Sequence, residues 1–200
     1  MRGLFSIDSP LWHFINKLLC IFLLNLLWLI CSLPVFTMGA STTAAYYVAL
    51  KLVKDEEGYI TQSFFRGFKA NFKQATIIWV ILLAVGLFLG IDLSVYMSSS
   101  SVSPSRFVLM TVFFAAAVAY VLECIYVFPV LARFDNTIKR TMANAFLMAI
   151  RHLPYSILIL TSNVLVIVIG FLLFPPVLFL GFGLMAFINS WFFVRIFCRY

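Results

Sequence analysis

Charge is what this sequence has least of. Of its 200 residues, 10% are Asp, Glu, Lys or Arg, and seven of these are acidic. A typical soluble domain carries roughly 25% charged residues, so a chain that is 64% hydrophobic has too little charge to cover itself in water. Other absences exclude function classes. There is no G-x-x-x-x-G-K-[ST], hence no P-loop ATPase, and neither H-E-x-x-H, G-x-S-x-G nor a carboxylate pair at a spacing useful for acid–base work. The four cysteines (Cys20, Cys31, Cys124, Cys198) form no C-x-x-C pair and have no His at metal-ligand spacing, and three fall in apolar runs, where Cys acts as a small hydrophobe. His13 and His152 sit where aromatic-like residues anchor helices at an interface. No nucleophile–base pair is visible and no connector is long enough to form a soluble domain. The expectation is therefore a non-enzyme with no catalytic residue, no metal and no cofactor.

What is present is apolar length. From His152 to Val194, 43 residues pass without a charge. As one helix they would extend ~65 Å at 1.5 Å per residue, twice a bilayer core of ~30 Å. The run must cross twice, folding at Pro175-Pro176. A second uncharged run, Leu18 to Leu50, holds 33 residues and is also too long for one crossing. Ser9-Pro10 reads as a helix start; the first helix then runs to about Leu33, before Pro34, and reads as an uncleaved first span rather than a signal peptide. The break falls at Thr37-Met38-Gly39. The next helix, about Ala40 to Lys54, repeats small residues every fourth position (Ser41, Ala45, Ala49; Ala40, Ala44), the spacing that lets helices approach closely in lipid. Two readings stand for it: a bundle-buried span with Lys51 and Lys54 snorkelling, or a helix lying on the membrane surface.

After the polar turn Asp55-Glu56-Glu57-Gly58, residues Thr61 to Lys73 place Phe64, Phe65, Phe68 and Phe72 on one face and Arg66, Lys69 and Lys73 beside it. This predicts an interfacial amphipathic helix feeding a third span, about Ala75 to Met97. The loop Ser98 to Ser105 leads to a fourth span, about Phe107 to Ala132. A second amphipathic connector comes next, Arg133 to Arg151, with Ile138, Met142, Ala145, Phe146 and Ala149 opposite Arg140 and Arg151. Spans five and six are the long uncharged run. The two connectors resemble one another (Gly67-Phe68-Lys69 against Ala149-Ile150-Arg151), which hints at a weak duplication of about 10–97 onto 106–200 within one integral membrane domain, 1–200; convergent interface chemistry explains the match equally well.

The fold expected is thus all-α, a polytopic transmembrane helical bundle of about six spans with two cytoplasmic amphipathic connector helices. Six spans with the N-terminus inside put thirteen of the fourteen basic residues on the inner side, leaving Arg106 outside. The positive-inside rule then places both termini in the cytoplasm, in the cytoplasmic (inner) membrane. The net charge of +7 reads as topology and attraction to anionic lipid, with no nucleic-acid partner.

Polar residues inside spans are the candidate site. Glu123 falls near mid-membrane, where a charge costs at least ~2.5–3.5 kcal/mol. It is either a proton- or ligand-binding group or a neutral acid bonded to a neighbouring helix. Asp92, nearer the outer end, reads as solvated or capping. Asn163 and Asn189 lie at matching distances from Pro175-Pro176, within mirrored triplets Thr161-Ser162-Asn163 and Asn189-Ser190-Trp191. A structural hydrogen-bond cluster is the favoured reading and a binding pocket the other, with Asn25 able to join either.

Asn25, Pro34, Gly39-Ala40-Ser41-Thr42, Ala44, Tyr46, Phe64, Phe68, Asn71 and Phe72 together resemble the YesL-like family of small bacterial membrane proteins of unknown function; PVFTMGASTTAAYYV is the most specific stretch. The resemblance implies a place beside carbohydrate ABC importers in Gram-positive bacteria. The leading expectation is an accessory or regulatory partner of such an importer, contacting permease subunits or a membrane sensor through its apolar helix faces and its small-residue second helix. The alternatives are a small transporter or channel using Glu123, Asn163 and Asn189, and a lipid-interacting assembly protein using the basic connectors. A homo-oligomer is compatible with each.

Overall fold

The computed structural model describes residues 10–56, 58–98, 104–172 and 176–199. Among them are seven α-helices: α1 (Pro10–Ser32), α2 (Met38–Val53), α3 (Ile60–Ser98), α4 (Pro104–Arg133), α5 (Ile138–Arg151), α6 (Leu153–Leu172) and α7 (Pro176–Phe197), with a short 3-10 turn at Val35–Thr37. The described residues contain no strand. Four helices are long and apolar enough to cross a membrane, over Ile15–Ser32, Ile60–Val95, Phe107–Arg133 and Leu153–Leu172, and α7 adds a shorter apolar stretch, Gly181–Phe197. The chain is a helical membrane protein. Pro175, where the last hairpin was expected to fold, and Arg2 and Arg106, which entered the orientation count, lie outside the residues whose side chains are described.

The break between α1 and α2 is built by sequence chemistry. Pro34 disfavours a helical conformation at Leu33, and α1 stops at Ser32. The carbonyls this leaves open must be satisfied. Thr37 Oγ1 donates to the Cys31 carbonyl at 2.6 Å and the Pro34 carbonyl at 2.7 Å, and Trp79 Nε1 reaches the Val35 carbonyl at 2.7 Å.

The short second helix is the axis of the bundle. It packs against α1, α3, α4 and α7, and most of its residues from Gly39 to Leu52 are buried. The helix is buried within the bundle and does not lie on its surface. Its small residues make that placement possible. A Cβ added at Gly39 would lie 2.6 Å from Trp79 Cβ and 2.7 Å from the Ala75 carbonyl oxygen, closer than any side chain tolerates. Burial also corrects one expectation: α2 has no free face to offer a partner.

The first connector differs from its expected form. Thr61 to Lys73 is not a separate helix lying on a surface. It is the first part of α3, a continuous 39-residue helix of ~58 Å. Phe64 is fully buried and Phe68 and Phe72 pack against the core, while Phe65, Arg66, Lys69 and Lys73 are exposed. The second connector does form its own helix, α5. It buries Thr141, Ala145, Met148 and Ala149 and leaves Phe146, Leu147 and Ile150 exposed, beside exposed Lys139, Arg140 and Arg151. Of its expected apolar face, Phe146 thus points outward.

Packing is uneven along the bundle. No residue from Leu83 to Val95 in α3, or from Phe107 to Leu122 in α4, is buried. These halves form a hairpin held by Tyr120, whose hydroxyl donates to the Leu82 carbonyl at 3.0 Å. Its outer faces carry Leu87, Phe88, Ile91, Phe107, Val112 and Phe114, each about 60% exposed or more.

Gly39→Ala is expected to destabilise the protein by about 1–3 kcal/mol through overpacking. Gly90→Ala, where an added Cβ meets nothing within 4 Å, should leave stability at or above wild type. Thermal melts of the full chain in mild detergent, read by size exclusion, compare the two; equal melting of both variants would contradict the close approach described for α2.

Candidate intramembrane polar site

α6 packs on α7, and α7 on α2, which brings Ser162 and Asn163 of one mirrored triplet to Asn189 of the other. Asn189, almost fully buried, is the hub. Its Nδ2 donates to Asn163 Oδ1 at 3.0 Å and to the Tyr46 hydroxyl at 3.2 Å. Its Oδ1 accepts from Ser162 Oγ at 3.4 Å, a hydroxyl that also donates to the Ile159 carbonyl at 2.9 Å. The cluster thus ties three helices through one amide, and both amide ends find partners, as burial in an apolar medium demands.

Asn25 stands apart from it. Its Oδ1 accepts the backbone N–H of Gly183 at 3.0 Å, where α1 and α7 come so close that a Cβ on Gly183 would lie 2.8 Å from the Ile21 carbonyl oxygen. Beside this contact Trp28 stacks on Phe182 with ring centroids 3.9 Å apart, donates from Nε1 to Thr42 Oγ1 at 3.1 Å, and accepts Ser41 Oγ at its carbonyl at 2.9 Å. Asn25 therefore seals a helix seam, whereas Asn163 and Asn189 form the cluster.

Two candidates are buried without partners. Among the described residues Ser190 Oγ makes no hydrogen bond, and neither oxygen of Glu123 makes one, although Glu123 is only 9% exposed. One turn further along α4, Tyr126 is satisfied: its hydroxyl pairs with Ser156 Oγ at 2.8 Å, and Ser156 in turn donates to the Ala149 carbonyl at 2.9 Å. Ser32, Thr76 and Thr141 also hold a buried, unpartnered hydroxyl; among the described residues Glu123 is the acid with both carboxylate oxygens unmet. Asp92 is half-buried, with one carboxylate oxygen buried and unpartnered.

Tyr46, Tyr126 and Ser156 carry as much of the polar network as the asparagines do, and intramembrane polarity alone did not single them out. For Tyr46 a signal existed: it comes directly after the small residues Ala44 and Ala45 on a helix whose spacing already implied close packing. At the basic end, His152 is buried with its ring edge-on to Tyr155, centroids 6.3 Å apart. Burial, then the charges of Arg199 and Arg151, hold its imidazole below its ordinary value. Among the described residues no group of three His, Cys, Asp or Glu is placed to hold a metal ion.

A family model described as a protein of unknown function, DUF624, matches residues 21–93, the stretch containing every residue on which the resemblance was drawn. The chain is 28% identical over 153 residues to the uncharacterized protein YesL of Bacillus subtilis (strain 168), covering 74% of this chain and 71% of that one. It is 27% identical over 147 residues to the uncharacterized protein YteU of the same organism, covering 70% of this chain and 64% of that one. No solved structure matches. The resemblance to YesL-like membrane proteins of unknown function is borne out.

Asn189→Leu leaves the Tyr46 hydroxyl and Asn163 without their shared partner and is expected to cost about 1–3 kcal/mol. Most of that loss should disappear on adding it to Tyr46→Phe and Asn163→Leu; strictly additive losses in melts of the single and combined variants would dissolve the cluster as a unit. Because the folded value of His152 is depressed, the unfolded chain binds more protons as pH falls below ~6.5. The contribution of a neutral His152 is therefore complete above that pH and is lost as pH falls through the folded value. His152→Gln should flatten the melting temperature between pH 7 and 5; an unchanged slope would count against it.

Proposed function

We propose that the protein is a non-enzymatic accessory subunit of a membrane importer, a carbohydrate ABC importer in a Gram-positive bacterium, and that it docks through the unpacked hairpin of α3 and α4. The observation that carries this reading is the absence of any buried residue along both outer halves. A pair of helices joined to the bundle at one end, with large apolar side chains exposed on its outer faces, offers a lateral helix-packing face within lipid. In the proposed topology the chain crosses six times with both termini cytoplasmic, α2 being the short, fully enclosed crossing. Lys51, Lys54 and Arg133 converging on one cleft beside Phe197 accords with a single basic, cytoplasmic end. The importer itself comes from the family resemblance.

One observation favours a second reading. Glu123 without a partner is what a small transporter or channel would present to a proton or polar ligand, since intramembrane acids lean functional. A contribution from lipid binding through the open face of α5 is compatible with both.

A photo-crosslinking residue placed at Phe88 or Val112 in native membranes is expected to capture a permease subunit, and deletion of the gene to impair sugar uptake. Lipid adducts alone together with wild-type uptake would overturn the accessory reading. A product of twice the chain mass would assign the face to a second copy instead. Unchanged importer binding with altered proton or solute flux in Glu123→Gln proteoliposomes would favour the second reading.

A further inference from the structure

Where α2, α4 and α7 end, their last turns line a cleft of about 160 Å³. Three cations line it, Lys51, Lys54 and Arg133, and Glu56 is the carboxylate beside them. The Lys51 ammonium lies 4.5 Å from the centre of the Tyr47 ring. None of the three cations takes part in an ion pair among the described residues, where the salt bridge found is that of Lys17 with Asp55, at 2.6 Å. The remaining wall is largely apolar and includes Phe197.

Two effects compete for these charges. Each helix C-terminus carries roughly half a negative charge, which cations in the last turn offset. That accounts for Lys51 and Arg133, each in the last turn of its own helix. Lys54 lies past α2 as its cap, where the dipole effect has fallen away. Nor does dipole compensation require three helix ends to share one concavity. Lys51 is half-buried in the cleft, and Lys54 and Arg133 are exposed beside its apolar wall.

We propose that this cleft binds the phosphate of an anionic ligand, with Lys54 and Arg133 contacting the phosphate and Lys51 held behind them against Tyr47. The chemistry is shared by the headgroup of an acidic phospholipid, which basic pockets between membrane helices recognise, and by a soluble phosphate monoester whose carbon portion would lie against Phe197. The site does not depend on the importer reading.

The test uses the purified full chain in a neutral detergent at fixed ionic strength. Its melting temperature is measured against inorganic phosphate, glycerol phosphate, and phosphatidylglycerol compared with phosphatidylcholine at equal mole fraction. Stabilisation by an anionic probe is expected, with an apparent affinity about tenfold weaker in Lys54→Gln and Arg133→Gln and unchanged in Lys69→Gln and Lys73→Gln, which remove the same charge from the exposed face of α3. Stabilisation by phosphate or glycerol phosphate assigns a soluble ligand, and stabilisation by phosphatidylglycerol alone assigns a lipid headgroup. The proposal is overturned if no anionic probe stabilises the protein, or if the α3 variants weaken the effect as much as the cleft variants do. A melting temperature lowered equally with and without probe in Lys54→Gln and Arg133→Gln would reduce these cations to helix-end compensation and overturn it as well.

Discussion

The rest of the bundle depends on how closely other helices can approach α2. In lipid there is no water to expel, so helices associate through close packing and interhelical hydrogen bonds. A 16-residue helix can occupy an axis among four others only if its surface is nearly bare backbone. Gly39, Ala40, Ala44, Ala45 and Ala49 supply that surface, and all four alanines are fully buried. Close approach then brings hydroxyls within reach of neighbouring backbones and rings: Ser41 and Thr42 to Trp28 of α1, and Tyr46 to Asn189 of α7. The matched family segment, residues 21–93, is the second half of α1, all of α2 and most of α3, and so contains the contacts of α2 with α1 and α3.

The same constraint sorts the polar residues into two kinds. Several at close helix contacts find partners because the backbones are near enough for short side chains to bridge, as Ser41 of α2 does to Trp28 of α1 and Asn25 of α1 to Gly183 of α7. Each such bond in a membrane contributes only about 0.6 kcal/mol on average, so their value lies in specifying which faces meet. Glu123 is the other kind. It sits at the boundary where burial along α4 ends, next to Leu122 and the half of the helix with no buried residue. A buried carboxylate at that position is satisfied by something other than the described residues, or is held neutral.

Much of this was legible in the sequence, for identifiable reasons. The uncharged runs marked the apolar helices because charge in a bilayer is costly wherever it falls. The mirrored Thr-Ser-Asn and Asn-Ser-Trp triplets met because an antiparallel hairpin equalises depth on its two arms. Burial of the second helix was implied by its alanine spacing. What stayed hidden was which apolar faces meet protein and which meet lipid. In water, hydrophobic periodicity separates inside from outside; in a membrane both sides of a helix are apolar, and neither the open α3–α4 hairpin nor the partnership of Tyr126 with Ser156 leaves a periodic trace.

The two connectors show the same limit from the other side. Their patterns look alike, basic residues flanking an apolar stripe, yet one is the start of a 39-residue helix and the other a separate helix. The difference lies in the residues C-terminal to each stripe. After Phe72 the chain continues Lys73-Gln74-Ala75 with neither Pro nor Gly, so nothing interrupts the hydrogen-bond ladder. Gln74 also anchors the continuous helix by donating to the Asn136 carbonyl across the bundle. After Arg151 comes His152, at φ −113° and ψ 41°, then Leu153-Pro154. Pro154 cannot donate to the preceding turn and fits only the first turn of a new helix, so α5 must end where α6 begins. Because α3 runs on, its aromatic stripe turns inward with Phe64 wholly buried. Because α5 is cut off, it stays at the bundle's edge with Phe146, Leu147 and Ile150 uncovered. One proline thus separates a structural use of an amphipathic segment from an interfacial one.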